Sequence, residues 1–244
     1  MNTALRLTTT PGIASTPAGA PPRSARSASD YPLSRYCLKP LAASVAGALR
    51  ESCIRPGHVT LLGALCQGGA ALVLVTGMAP PFVAALWVLA AWFCDRLDGE
   101  LARRQGTASN WGAWLDANLD ELGDIGIHAA VAAAASMAVG AGWPWGLFLA
   151  FVAGKHLFMY GLASEERLPG RPAIAAASAS AGPPGGLRAL YHLPANADVR
   201  VHALMLALAT NCLALELAAA ALYYNLRWIV RYVLVARRLR EGTR

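Results

Sequence analysis

Residues 95–120 read DRLDGELARRQGTASNWGAWLDANLD, and this stretch places four aspartates at the ends of two apolar segments. Asp95 and Asp98 are three residues apart, and Asp116 and Asp120 are four residues apart, so each pair shares one face of a predicted helix. A carboxylate at membrane depth costs about 2.5–3.5 kcal/mol. Hard oxygen ligands at this density suit Mg²⁺, Mn²⁺ or Ca²⁺, which would neutralise them. The stretch therefore predicts a divalent metal site at the edge of an apolar protein.

The composition of the whole chain indicates a membrane protein. Of its 244 residues, 56% are hydrophobic and only 14% are charged, and the mean hydropathy is +0.41. Such a chain is too apolar for a soluble domain and too long for a single span, which predicts a polytopic helical membrane protein. The five cysteines are scattered without a C-x-x-C pair and indicate neither a disulfide framework nor a zinc site. No nucleic-acid partner is expected from the net charge of +7, because the basic residues gather at predicted membrane edges.

Composition along the chain predicts three regions. Residues 1–35 are rich in Pro, Ser, Ala and Thr, which predicts a disordered basic tail. Residues 36–240 form the predicted membrane domain, and residues 241–244 form a short C-terminal tail. At the start of the membrane domain, residues 36–53 are amphipathic after Pro40, which predicts a helix lying in the membrane interface.

Apolar segments separated by Pro, Gly and polar turns predict an all-α bundle of six membrane-spanning helices. Their predicted bounds are about 58–77, 82–104, 111–139, 143–163, 199–220 and 222–238. Residues 164–197 are a Pro/Gly/Ala/Ser-rich connector that is predicted to lie outside the bilayer. Lys and Arg gather on the side of both termini and of the loop between the second and third spans, so this side is predicted to face the cytoplasm. The expected location is the bacterial inner membrane, with the metal site at its cytoplasmic surface.

The spacing D-x2-D-G-x2-A-R-x8-G-x3-D-x3-D within residues 95–120 resembles the signature of the CDP-alcohol phosphatidyltransferase family of integral membrane enzymes. All eight fixed positions match, at Asp95, Asp98, Gly99, Ala102, Arg103, Gly112, Asp116 and Asp120. The resemblance is sharp there and extends over roughly residues 54–240. It implies the transfer of a phosphatidyl-type group from a CDP-alcohol, usually CDP-diacylglycerol, to an acceptor hydroxyl in phospholipid biosynthesis, with release of CMP. It also implies a homodimer, and the small residues of the third and fourth spans would permit close helix contacts.

The resemblance implies specific roles for the acidic residues. Two divalent ions, Mg²⁺ or Mn²⁺, are expected at Asp95, Asp98 and Asp116. Asp120 lies one helical turn deeper on the face of Asp116. It is the expected general base, and it is also expected to contact a metal ion.

The remaining motif positions are expected to bind the nucleotide together with Asp98. Gly99, Ala102 and Gly112 are small, so the nucleotide can lie against the backbone. Arg103 would bind a phosphate or the edge of the base. The family often carries P-N-x-x-T at the start of the first span, and residues 56–60 here read PGHVT. Thr60 is therefore expected to add a hydroxyl, although Gly57 replaces the usual Asn.

Two cations beyond the motif are the expected acceptor-binding residues. Lys155 lies inside the predicted fourth span, and Arg200 begins the fifth within Asp198-Val199-Arg200. The Asp-Val-Arg sequence resembles family members that use phosphorylated polyols, such as inositol phosphate, and glycerol phosphate has similar chemistry. The alternative is that both cations reach toward lipid headgroups. Glu121, which follows the motif, is expected to be a packing partner rather than a metal ligand.

Two other functions fit part of this pattern. A divalent-cation transporter would also place carboxylates in the membrane, but nearer its midplane and without fixed Gly, Ala and Arg positions. A catalytically inactive, lipid-binding relative would not need the intact acidic set. The expected partners are therefore a CDP-alcohol donor lipid, a hydroxyl-bearing acceptor, membrane lipids and a second copy of the chain.

Overall fold

The computed structural model describes residues 34–165, 167 and 197–241, all of them in helices or short connections. A π-helical turn at Ser34–Leu38 precedes the α-helices of this described part. They are α1 (Lys39–Ala48), α2 (Pro56–Thr76), α3 (Pro81–Gln105), α4 (Asn110–Val139), α5 (Trp143–Glu165), α6 (Ala197–Ala209) and α7 (Leu213–Glu241). The all-α prediction is confirmed for these residues. Nearly all of the predicted N-terminal tail and of the connector at 164–197 lie outside them.

Proline and glycine set the bounds of α2, α3 and α4. Pro56 and Pro81 occupy the first positions of α2 and α3, where a missing N–H removes no hydrogen bond within the helix. Each of the three helices ends at a glycine with φ between 62° and 65°, a left-handed conformation that other residues rarely adopt. These glycines are Gly77, Gly106 and Gly140. Because such signals are local, the predicted bounds of these helices agree closely with the structure.

Within the described residues, four helices are long and apolar enough to cross a membrane, namely α2, α4, α5 and residues Leu213–Arg240 of α7. Helix α3 has 25 residues, but charged side chains crowd its C-terminal half. Helix α6 has 13 residues, so it extends only about 20 Å, less than the roughly 30 Å of a hydrocarbon core. The count of six spans stays a prediction.

The predicted bounds of the fifth and sixth spans are wrong. Helix α6 ends at Ala209 and α7 begins at Leu213, whereas the sequence predicted a break near residue 221. The connection turns at Asn211, whose φ is 57°, a left-handed conformation that asparagine adopts more readily than most residues. The Cys212 N–H donates to the Ala207 carbonyl at 2.8 Å and closes the end of α6. Residues 210–212 contain neither Pro nor Gly and lie between two apolar segments, so no clear signal in the sequence marks this turn.

Helix α1 packs along the motif-bearing half of α3. It buries Ala42 and Ala46 in a cluster with Leu97 and Leu101, whereas Leu41 on the neighbouring face is 53% exposed. The Gln105 amide donates to the carbonyl oxygens of Leu49 and Ile54, which ties the connection after α1 to the end of α3. A helix therefore exists within residues 36–53, and its position at the membrane interface stays a prediction.

Small residues let the neighbours of α2 approach closely. A Cβ atom at Gly63 would lie 3.1 Å from the Cys94 side chain, and one at Gly69 would lie 3.1 Å from the Trp87 ring. Helix α4 packs against α2, α5 and α7, and α3 packs against α1, α2 and α6. The largest buried cluster joins α2, α3, α4, α6 and α7 deeper along the bundle than the motif aspartates. The motif thus lies at one end of a packed helical core.

Candidate active site

Helices α3 and α4 bring three motif aspartates together. One carboxylate oxygen from each of Asp95, Asp98 and Asp116 lies within 4.8 Å of the other two. Asp98 is only 5% exposed, and the other two are half-buried. Three carboxylates this close repel one another strongly unless positive charge balances them. A set of hard oxygen donors with excess negative charge fits a divalent cation such as Mg²⁺ or Mn²⁺.

Thr60 orients the most buried of these aspartates. Its Oγ1 atom donates a hydrogen bond to Oδ2 of Asp98 at 2.6 Å, from a residue 38 positions earlier in the chain. The same hydroxyl lies 3.1 Å from the Pro56 carbonyl oxygen in the first turn of α2. The sequence predicted a nucleotide contact for Thr60, and the structure places its hydroxyl on a candidate metal ligand. Such outer contacts fix the orientation of a ligating carboxylate.

Asp120 lines the same cavity as the three clustered aspartates but lies outside their cluster. The cavity is bounded by Thr60, Gly63, Ala64, Gln67, Ala91, Asp95, Asp98, Asp116, Leu119 and Asp120. Asp120 is exposed, unlike Asp98. A carboxylate that is accessible beside a metal site is suitably placed to take a proton from a substrate hydroxyl. Its role as general base stays a prediction.

Open space surrounds two of the motif glycines. A Cβ atom at Gly99 would meet only Arg103 Nη1, at 3.6 Å, and one at Gly112 would meet only Ser109 Oγ, at 3.3 Å. Within the described residues, no atom of a neighbouring helix lies within 4 Å of a Cβ atom built at either glycine. Close packing of helices in the monomer therefore does not require glycine at these two positions. Ser109 caps α4 by accepting a hydrogen bond from the Gly112 N–H. Ala102 is half-buried one turn after Gly99.

Arg103 is not among the residues that line the cavity of the motif aspartates. Its Nη2 atom lies 2.7 Å from Glu100 Oε2, and its side chain is 63% exposed. Arg104 pairs with the other oxygen of Glu100 at 2.8 Å. Exposed pairs of this kind are weak, at about 0–1 kcal/mol, so a phosphate would compete successfully for Arg103. The structure thus pairs Arg103 with Glu100 and does not bring it to the motif aspartates.

Lys155 is an internal counter-ion. It is 7% exposed, its Nζ atom lies 2.9 Å from Glu121 Oε2, and it also donates a hydrogen bond to Asp124. The Lys155 ammonium group thus contacts carboxylates inside the bundle and does not extend toward lipid headgroups. Glu121 pairs with Lys155 and lies outside the group of three clustered aspartates. That it is not a metal ligand stays a prediction. A single ammonium group from α5 thereby faces two carboxylates of α4.

Arg200 borders the same region from α6. Its guanidinium carbon lies 5.9 Å from the centre of the Tyr224 ring. It lines a mainly apolar cavity of about 670 Å³ that also reaches Asp124 and His128. The structure therefore brings both predicted acceptor residues to the surroundings of Asp124. Their role in binding an acceptor stays a prediction.

Sequence reasoning missed a buried polar link between α4 and α7. His128 is 6% exposed, and its Nε2 atom lies 3.1 Å from Glu216 Oε1. Its Nδ1 atom lies 2.6 Å from the Asp124 carbonyl oxygen. The only available signal was an isolated histidine and an isolated glutamate within apolar segments, which in a membrane protein predicts a partner. The identity of that partner, 88 residues away, required the structure.

Comparison with known proteins agrees with the family signature within residues 95–120. The family model described as CDP-alcohol phosphatidyltransferase matches residues 53–237. A phosphatidylinositol phosphate synthase of Cutibacterium acnes is 34% identical over 89 residues, which are 36% of this chain and 42% of that protein. A protein of the same name from Mycolicibacterium smegmatis is 35% identical over 104 residues, which are 41% of this chain and 44% of that protein. The chain thus matches less than half of the length of either relative.

Proposed function

Because the chain belongs to the CDP-alcohol phosphatidyltransferase family, whose model matches residues 53–237, we propose that it transfers a phosphatidyl-type group from a CDP-alcohol to an acceptor hydroxyl and releases CMP. The expected donor is CDP-diacylglycerol. The strongest support is the cluster of Asp95, Asp98 and Asp116, whose oxygens lie within 4.8 Å of one another. A pyrophosphate donor is itself polyanionic, so it can approach this cluster only when cations balance the charge.

Asp95, Asp98 and Asp116 would hold two divalent ions, Mg²⁺ or Mn²⁺, with Asp120 as a further contact. When bound, these ions would balance the carboxylates and supply positive charge to the phosphate oxygens. Thr60 would keep the Asp98 carboxylate in one orientation through its 2.6 Å hydrogen bond. The carboxylates and the Thr60 hydroxyl would thus fix where the metal ions bind before the CDP-alcohol donor arrives.

Asp120 would take the proton of the acceptor hydroxyl as the hydroxyl oxygen attacks the donor phosphorus. A new phosphodiester bond forms, the bond to CMP breaks, and CMP leaves with the electron pair. General base catalysis of this kind typically contributes about 10²–10⁴-fold. The open space beside Gly99 and Gly112 would accommodate the nucleotide, with Arg103 turning from Glu100 to a phosphate.

A phosphorylated polyol is the proposed acceptor, such as inositol phosphate, with glycerol phosphate as the alternative. The two relatives reported above are both named phosphatidylinositol phosphate synthase. Arg200 would carry most of the contact with the acceptor phosphate, because Glu121 and Asp124 already balance the charge of Lys155. Lys155 would contribute by keeping these two carboxylates away from the incoming phosphate.

The proposed setting is the bacterial inner membrane, with the aspartate cluster facing the cytoplasm. Four apolar helices of sufficient length support a membrane location. A homodimer is proposed on the family resemblance, and apolar side chains such as Leu122 and Leu149 are exposed on α4 and α5. Phospholipid would surround these helices wherever a second copy does not.

CMP release by the purified protein tests the proposal. The assay would supply CDP-diacylglycerol and Mg²⁺ with inositol phosphate, glycerol phosphate, serine, free inositol or phosphatidylglycerol. Release is expected with a phosphorylated polyol, and it should disappear with a chelator or in Asp98→Asn. No release with any acceptor would contradict the proposal and favour a cation transporter or an inactive lipid-binding relative. Release with serine alone would contradict the proposed acceptor but retain the reaction class.

A further inference from the structure

Gln67 is a polar residue in an apolar stretch of α2. Residues 61–75 read LLGALCQGGAALVLV, and Gln67 is the only residue among them with a side-chain amide. It follows Thr60 by seven residues, so it lies on the same helical face and about 10 Å deeper along α2. Both residues line the cavity of the motif aspartates. A polar side chain is therefore placed at the end of the cavity farther from the start of α2.

The structure makes room for this amide on α4. A Cβ atom at Gly123 would lie 1.2 Å from Gln67 Oε1 and 2.3 Å from its amide carbon. Any residue larger than glycine at position 123 would therefore displace the side chain. Gly123 follows Asp120 by three residues, so the amide lies about one helical turn beyond Asp120.

No described residue satisfies the amide oxygen. Gln67 Oε1 is buried and has no hydrogen-bond partner among the described side chains and backbone. Exchanging the amide oxygen and nitrogen would leave a donor in that position instead of an acceptor. Leucine or methionine would fill the same space without an unpaired polar atom. An unpaired buried amide is destabilising by itself, and a bound ligand or water usually explains it.

We propose that Gln67 is a further substrate-binding residue, whose side-chain amide hydrogen-bonds an uncharged oxygen of a substrate beyond Asp120. This inference rests on the transferase function proposed above. An amide both donates and accepts hydrogen bonds, and it adds no charge beside four carboxylates. A glutamate there would add a fifth negative charge to the cavity. Two substrate groups have the required chemistry, namely a hydroxyl of the acceptor and a glycerol ester oxygen of the donor.

Steady-state kinetics of Gln67→Met test the inference. Methionine keeps the length of the side chain and removes its hydrogen-bonding atoms. Loss of one neutral hydrogen bond should raise one KM by about 2- to 12-fold, while kcat changes less. A rise in the acceptor KM identifies the hydroxyl, and a rise in the donor KM identifies the ester oxygen. The matched control is Gly68→Ala, since a Cβ atom at the adjacent Gly68 meets nothing within 4 Å.

Gly123→Ala provides a second test with Gln67 intact. The added methyl group should push the amide aside and raise the same KM, and it should add little in a Gln67→Ala background, where the space is free. Unchanged values of both KM in Gln67→Met, with an active wild-type protein, would overturn the inference. A lower unfolding temperature without a change in KM would also overturn it, because the amide would then serve packing alone. An inactive wild-type protein would refute the proposed function itself, and this inference with it.

Discussion

Removing the hydroxyl of Thr60 should weaken the metal site without removing a ligand. Thr60→Val keeps the shape of the side chain and deletes the 2.6 Å hydrogen bond to Asp98 Oδ2. A hydrogen bond to a charged group contributes about 1.5–3 kcal/mol. Asp98 is only 5% exposed, so water cannot readily replace the hydroxyl as a hydrogen-bond donor. Substitution of a residue that orients a metal ligand typically lowers the metal affinity by about 10- to 100-fold.

The assay is CMP release from CDP-diacylglycerol at increasing Mg²⁺ concentrations. Thr60→Val should shift the half-saturating Mg²⁺ concentration upward by about 10- to 100-fold, with a smaller change in the donor KM. Thr60→Ser retains the hydroxyl and should lie close to wild type. A normal Mg²⁺ dependence together with a raised donor KM would refute the reasoning. The hydroxyl would then contact the nucleotide, as the sequence alone predicted.

Three further substitutions address the substrates, and one addresses stability. Asp120→Asn should lower kcat by about 10²–10⁴-fold with little change in donor affinity, and an equal loss of both would make it a metal ligand only. Gly99→Leu should abolish donor binding in a direct binding assay while the protein still binds Mn²⁺, and unchanged donor affinity would contradict the open-space argument. Arg200→Ala should raise the KM for a phosphorylated acceptor by roughly 10- to 100-fold, from a charge-assisted contact of about 1.5–3 kcal/mol, and an unchanged acceptor KM would refute this role. Gly154→Ala should lower the unfolding temperature, because its Cβ atom would lie 2.6 Å from the Asn225 side chain and 3.0 Å from its backbone nitrogen. Overpacking of this kind costs about 1–3 kcal/mol, and an unchanged unfolding temperature would show that α5 and α7 adjust freely.

The helices were largely predictable because their limits depend on local chemistry. Pro56 and Pro81 start helices, and Gly77 and Gly106 end them, through backbone conformations that the residue type itself imposes. The turn at Asn211 was not predictable, since asparagine only tolerates the left-handed conformation and packing must select it. The α6–α7 connection was therefore placed about ten residues too late.

The sequence alone also predicted which acidic residues belong to the candidate site. The spacing of the four motif aspartates is a property of the chain, and helical periodicity places each pair on one face. The aspartates predicted a divalent metal site, and the full set of eight motif positions carried the resemblance to the family to which the chain belongs.

Only the tertiary structure decided which groups face one another between helices. Helical periodicity specifies the face of a residue but not the height or rotation of the neighbouring helix, which depend on close contacts such as that of Gly63 with Cys94. Those contacts place Thr60 on Asp98 and set Gln67 against Gly123. They likewise pair Lys155 of α5 with two carboxylates of α4. The physical reason is that a buried charge needs a partner, and packing decides which residue distant in the sequence becomes that partner.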